Sequence, residues 1–506
     1  MMFEHIPLLS TLIWLPILGA ISVAMLNNPE RATQARVLAL IIALISLTLC
    51  IPLYFSFDTT AVAMQFTQHL KWIPALKINY DLGVDGISMP LVLLTCFTTL
   101  LVVLASWTMV KKKIGQYLAA FLIMQGAVVG VLSSLDAMLF YFFWEAMLIP
   151  MYLSIGIWGM EKRSYAAIKF FLYTFLGSAL LLVTLLYLRT HSGSFYILDY
   201  YRLHMGMTIQ ILVFLGFFFA FAIKVPMWPL HTWLPDAHTE APVGGSVVLA
   251  ALMLKLGGYG FLRFSLPIVP DASRHLDWLM IGLSLMAIVY IGFIAIAQTD
   301  MKKLIAYSSV AHMGFVTLGA FMLFMIMAHT GNRQDAYLSL EGAMVQMISH
   351  AFGAGAMFLA FGMLYEQLHS RYIRDFGGIA KTMPYFAAFF MVFSMSNVGL
   401  PGTSGFVGEF MILLSTFKTS FGITFLAAST LVIGAVYTLC MYKRVFYGSI
   451  TNASVAGLTD IGLIDKIIFI LITVAVVCIG VYPNSLLNVF HTSIGQLLQE
   501  ALQSKL

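Results

Sequence analysis

The chain has 506 residues, of which 60% are hydrophobic and only 10% charged, and its mean hydropathy is +0.92. A soluble globular domain, with roughly 25% charged residues, is excluded. The net charge of +5 is small for this length, and no basic, aromatic-interleaved patch points to nucleic acid.

The expected class is an all-α polytopic membrane protein. Apolar segments bounded by charges, Gly or Pro fall near 7–25, 36–56, 87–109, 116–133, 136–158, 165–188, 208–235 (broken), 244–265, 278–297, 303–324, 342–364, 383–415 (broken), 424–446 and 464–482, about fourteen spans. Glu4 and the absence of a basic run before 7–25 make that stretch a retained first span rather than a cleaved signal. The expected organisation is a three-helix segment at 1–115, five-helix repeats at 116–265 and 278–446, and a C-terminal helix and tail at 447–506. With both termini on the periplasmic side of a bacterial inner membrane, sixteen of the 27 Lys and Arg face the cytoplasm and nine the other side. Lys224 and Lys255 are left inside spans. The four cysteines, Cys50, Cys96, Cys440 and Cys478, lie singly in apolar runs and are read as packing residues, with no metal or disulfide spacing.

The span at 208–235 carries the first functional signal. Its apolar run ends at Lys224, and Pro226 and Pro229, which have no N–H to donate, must break the helix beside a cation. Irregular backbone at membrane depth is tolerated only inside protein or beside a wet cavity, and an ionisable group there points to function. Five more such groups follow: Glu145 in mid-span, Lys255, His312, His350, and Glu409 in the second broken span beyond Pro401. Each buried charge costs at least ~2.5 kcal/mol on insertion scales, which packing alone does not require. Lys255 has no acidic partner on its own helix, and desolvation penalises its charged form, so it is a candidate proton carrier. Bland alternatives stand beside these readings: a structural ion pair for Glu145 and Lys224, and hydrogen-bonded core histidines for His312 and His350.

Residues 221–226 can be laid over 396–401 at an offset of 175, and 167–188 over 344–365 at an offset of 177. The two broken spans lie five apart, which reverses their direction and predicts inverted repeats, an arrangement suited to ion transport. There is no nucleotide-binding G-x-G-x-x-G on a strand and no iron–sulfur ligand set, so no cofactor is expected in this chain.

The segment Phe221-Ala222-Ile223-Lys224-Val225-Pro226, followed by Leu230-His231-Thr232-Trp233-Leu234-Pro235-Asp236-Ala237-His238, resembles the signature of the antiporter-like proton-translocating subunits of respiratory complex I. Those subunits are similar in turn to subunits of multi-subunit cation/proton antiporters. Leu82-Gly83-Val84-Asp85-Gly86, Phe142-Phe143-Trp144-Glu145, Ala251-Leu252-Met253-Leu254-Lys255 and the run 300–314 extend the likeness over nearly the whole chain. Glu409, within Gly405-Phe406-Val407-Gly408-Glu409-Phe410, resembles the branch of bacterial subunit M and mitochondrial chain 4, whereas sibling subunits typically carry lysine there. Length agrees with that branch, which lacks the long lateral helix of subunit L.

The resemblance implies a proton-translocating membrane subunit of an NADH:quinone oxidoreductase, with FMN, iron–sulfur clusters and quinone on other subunits and sibling antiporter-like subunits as partners. It implies Glu145 and Lys224 as a charge pair, Lys255 as central carrier, His312 and His350 as relay groups and Glu409 as terminal exchanger. A subunit of a multi-subunit Na⁺/H⁺ antiporter and a purely structural membrane scaffold are the alternatives.

Overall fold

A bilayer core offers peptide groups no hydrogen-bond partner, so long apolar runs must satisfy their backbone internally as helices. Most of the chain does so in the computed structural model, which describes residues 7–450 and 452–506. Glu4 lies outside the described residues. Among these residues thirteen helices are long and apolar enough to cross a membrane, and the shorter pair Pro384–Val398 and Ser404–Phe417 supplies one more span in two pieces. The total agrees with the fourteen read from the sequence. Several helices overrun their apolar segments, notably Arg163–Ser192, Met301–Thr330 and Arg333–Leu368. Asp136 and Asp300 start the helices that follow them by accepting hydrogen bonds from two backbone N–H groups each.

Breaks fall where proline dictates. The helix Met207–Lys224 stops at Lys224, and helix resumes only at Trp233–Glu240, with Pro226 and Pro229 in the non-helical stretch. The second break runs through Pro401 and is turned by Gly399 and Gly402, at φ of 80° and 89°, a region that glycine enters without steric cost. A third break was not foreseen. The span Ala137–Trp158 divides at Met147 into Ala137–Ala146 and Leu148–Trp158, because Pro150 cannot donate to the carbonyl four residues back. Glu145 sits at that joint.

Two elements lie outside the spans read from the sequence. Gln65–Ile73 and Ile78–Val84 pair as an antiparallel hairpin, with Leu70 opposite Tyr80. Asn484–Leu502 forms a further helix, burying Val489, Phe490, Ile494 and Leu497 along one face. Two charges counted with the loops are instead buried within helices: Lys302 is 1% and Arg263 7% exposed. Cys50 and Cys96 pack inside as expected, whereas Cys440 and Cys478 are exposed.

The chain forms two compact units. The first comprises 1–225, 255–276 and 488–506, and the second 226–254 and 277–487. In the first, Gly86 N–H donates to Ser493 Oγ at 2.9 Å, tying the end of the hairpin to the C-terminal helix. In the second, helix Ser404–Phe417 lies against Arg333–Leu368 so closely that a Cβ on Gly408 would sit 2.6 Å from the backbone nitrogen of Gln346. That approach sets the depth of the neighbouring Glu409. Gly408→Val is therefore expected to destabilise the protein by about 1–3 kcal/mol through overpacking, read as a lower thermal midpoint of the detergent-purified assembly; an unchanged midpoint would show that the helices separate at no cost.

Candidate proton-transfer site

In the first unit the structure gathers Glu145, Lys224 and Lys255. Lys224 is the last residue of its helix and is 2% exposed. Its Nζ stands 4.1 Å above the centre of the Trp144 ring, a cation–π contact of about 2 kcal/mol when desolvated. Trp144 is held edge-on by Phe221 at 5.8 Å, one turn before the lysine. Lys224 Nζ and Glu145 Oε1 each lack a hydrogen-bond partner among the described residues. Glu145 and Lys224 act on one another electrostatically, and Ser178 reaches the carboxylate. The charge pair expected from the sequence is thus a through-space interaction with Trp144 beside it, not a hydrogen-bonded bridge.

Lys255 is 1% exposed, near the start of the helical stretch Leu254–Gly260. That stretch approaches Met207–Lys224 closely, because a Cβ on Gly257 would lie 2.8 Å from the carbonyl oxygen of Phe221. On either side the helix widens to π geometry, at Leu249–Met253 and Phe261–Ser265. Single-turn π segments recur at functional sites.

The second unit brings together His312, His350 and Glu409. His312 Nδ1 and Glu409 Oε1 are 2.8 Å apart, with both side chains buried. Gln346 Nε2 donates to the same oxygen at 3.0 Å. The rings of His312 and His350 are 5.7 Å apart, and Tyr437 adds its dipole near Glu409. His312 Nε2 has no hydrogen-bond partner among the described residues, so the ring has one nitrogen on the acid and the other open to a second donor or acceptor. Sequence reasoning missed Gln346 and Tyr437. Gln346 is one helical turn before His350, a spacing that places both on one face.

Another charged group in the second unit was missed as well. Lys302 Nζ donates to the carbonyl oxygen of Ala241 at 2.6 Å, closing the end of the helix Trp233–Glu240. Arg371 bridges Glu240 at 3.2 Å and Asp300 at 2.9 Å. Burial pushes the Asp300 carboxyl above the usual carboxylate range, against the N–H groups of Lys303 and Lys302 and the Arg371 guanidinium. His238 stacks on Phe358, with ring centres 4.5 Å apart. Among the described residues no group of three or more His, Cys, Asp or Glu could hold a metal ion. The arrangement suits proton exchange between nitrogen and carboxylate.

Comparison with known proteins follows the same lines. The family described as NADH:quinone oxidoreductase/Mrp antiporter, TM, matches residues 134–436, which include all six sequence-predicted groups. The amino-terminal family of NADH-ubiquinone oxidoreductase chain 4 matches 37–133. Subunit M of the NADH-quinone oxidoreductase of Rhodobacter capsulatus is 43% identical over 510 residues, covering 97% of this chain and 96% of the relative. The Rickettsia bellii subunit M is 40% identical over 500 residues, covering 98% and 99%. Among solved structures, a chain of respiratory complex I from Thermus thermophilus with bound NADH superposes with a TM-score of 0.87 at 28% identity, covering 98% of this chain and all of that one. A chain of the Mrp complex from Dietzia shares the fold alone, with a TM-score of 0.79 at 19% identity over 97% of this chain and 52% of that one.

Gln346→Leu leaves His312 as the one side-chain hydrogen-bond partner of Glu409 among the described residues. Losing a hydrogen bond to a charged group costs about 1.5–3 kcal/mol, so the variant is expected to lower the thermal midpoint of the purified assembly, with Gln346→Glu no better a substitute because it places a second acid beside the first.

Proposed function

The chain belongs to the NADH:quinone oxidoreductase/Mrp antiporter family of membrane subunits, in its subunit M and chain 4 branch, and from that premise we propose that Glu145, Lys224, Lys255, His312, His350 and Glu409 carry its protons. It is a multi-pass membrane subunit of the proton-translocating NADH:quinone oxidoreductase, complex I, and works with that complex's other subunits. Sibling antiporter-like subunits are its membrane neighbours in this reading. FMN, iron–sulfur clusters and quinone reside on other subunits, and both termini face the periplasm. The repeats 116–265 and 278–446 are inverted copies, the first containing the proline-broken helices at Met147 and after Lys224 and the second the one at Pro401.

The observation that carries the proposal is the 2.8 Å contact between His312 Nδ1 and Glu409 Oε1, a nitrogen–carboxylate pair at proton-transfer distance in a buried setting. In the first unit the ammonium of Lys224 rests on an aromatic face and in the field of Glu145. Two unit charges roughly 10 Å apart still interact by about 1–2 kcal/mol at an effective dielectric constant near 20. That is about a tenfold change in a neighbour's proton affinity. A change of charge at Glu145 or Lys224 therefore alters how firmly Lys255 holds its proton, and redox chemistry elsewhere in the complex enters as such a change. The proton lost by Lys255 is taken up by the imidazoles and passed to Glu409. Irregular backbone at 225–232 and 399–403 exposes peptide groups that can hold the intervening water.

Glu145→Gln and Lys255→Ala, each in the assembled complex reconstituted into liposomes, are expected to lower proton translocation and coupled NADH oxidation by about tenfold at the limiting step, equivalent to ~1.4 kcal/mol. Wild-type translocation in both variants would refute the relay. Translocation that requires Na⁺ in place of protons would instead select the cation antiporter reading.

A further inference from the structure

The first unit holds a second buried charge pair that the relay does not use. Arg263 Nη2 donates to Asp85 Oδ2 at 2.6 Å, with both side chains 8% exposed. Asp85 is the fixed member: its Oδ1 accepts from the backbone N–H groups of Ile87 and Ser88 at 3.1 and 3.0 Å, just before the helix Met89–Met109. Arg263 is the long arm, seated in the π-helical segment Phe261–Ser265. Its Nε donates to Tyr259 Oη at 3.3 Å, and that hydroxyl donates to the carbonyl oxygen of Leu132 at 3.3 Å. Tyr259 is itself one helical turn from Lys255, a spacing that aligns the two side chains on one face.

On the far side of the pair lies a cavity of about 470 Å³, lined in part by Asp85, Arg263, Tyr201, Ser493 and Lys505. Exposed Arg202 and His204 also line it, so it reaches the surface. Its volume and polar walls accommodate a chain of waters. Two of the basic groups facing it are matched: Lys505 Nζ is 3.2 Å from Glu500 Oε2, and Arg263 is matched by Asp85. Among the described residues Asp85 and Arg263 line the cavity whereas Tyr259 and Lys255 do not, and Arg263 is hydrogen-bonded to both Asp85 and Tyr259.

We propose that this pair is a gate giving the first unit its own proton route to the surface. The function of the gate rests on Lys255 being a proton carrier, as argued above. Closed, the pair seals the cavity from Tyr259. When Lys255 releases a proton toward this side instead of to the imidazoles, an N–H bond breaks there and an O–H bond forms on Asp85, with the Tyr259 hydroxyl and water passing the charge between them. Neutral Asp85 no longer holds Arg263, whose side chain swings into the cavity. Asp85 then gives the proton to cavity water, and the regenerated carboxylate recaptures the guanidinium. No oxidant or reductant enters the step.

A thiol at position 259 reports the gate directly. Tyr259→Cys is placed in the assembled complex in liposomes, in a chain that also carries Cys440→Ser and Cys478→Ser, and reaction with a membrane-impermeant maleimide is followed by mass spectrometry of this chain. With Asp85 and Arg263 intact, labelling is slow. Asp85→Asn and, from the other side of the pair, Arg263→Gln are each expected to speed it about tenfold, whereas Asp85→Glu keeps it slow. Equal labelling rates in all four backgrounds would overturn the gate. Full proton translocation by Lys255→Ala, with the labelling pattern as expected, would overturn the relay while leaving the gate as a water-access barrier, so the two readings fail separately.

Discussion

Keeping charge inside hydrocarbon is the constraint on which the remaining structure depends. A charged side chain at the centre of a bilayer is costly in isolation, and leaving a buried ion unmatched by removing its partner costs about 3–5 kcal/mol. The protein answers differently at each site. Lys224 is set against the face of Trp144 in the field of Glu145. Glu409 is given an imidazole and an amide, Arg263 a carboxylate, and Lys302 the carbonyl left over where a short helix ends. Lys224 is the least completely matched of these, with no hydrogen bond to its ammonium among the described residues. Groups matched incompletely are the ones whose protonation responds most to a neighbouring charge.

Broken helices and buried charges occur together for a physical reason. A proline inside a span removes one backbone donor and leaves a carbonyl four residues back without its partner. Such a group is a liability in lipid and an asset beside a charge or a water. Lys224 lies immediately before the break at Pro226, Glu145 at the joint before Pro150, and Glu409 on the helix that follows Pro401. Glycine acts alongside proline. Gly408 lets two helices approach until Gln346 meets Glu409, and Gly257 lets the helix carrying Lys255 press against the one carrying Lys224.

The spans and both large breaks were legible in the sequence because each rests on local information: an apolar run of bilayer length, or a proline inside one. The six acid, base and imidazole groups were legible because a polar residue in such a run is conspicuous. Pairings were not. Arg263 and Lys302 lie near span ends, where a charge ordinarily faces water, and only tertiary contact with Asp85 or Ala241 shows that they are buried. Gln346 carries no charge and so raised no signal, although its position one turn before His350 held the clue. The hairpin at 65–84 is not legible in the sequence because its alternating pattern, with Ile78, Tyr80 and Leu82 on one face, is short and falls between spans. The helix Asn484–Leu502 was missed because its apolar face is a stripe rather than a continuous run.

Glu409, held by His312 and Gln346, is the proposed acceptor of the proton passed along the chain of imidazoles. Infrared difference spectra of the complex, recorded between resting and NADH-driven states, test that claim most directly through the carbonyl stretch of protonated carboxyl groups. A turnover-dependent carboxyl band is expected that is absent in Glu409→Gln and altered in amplitude in His312→Ala. A spectrum in which both variants retain the wild-type bands would contradict it.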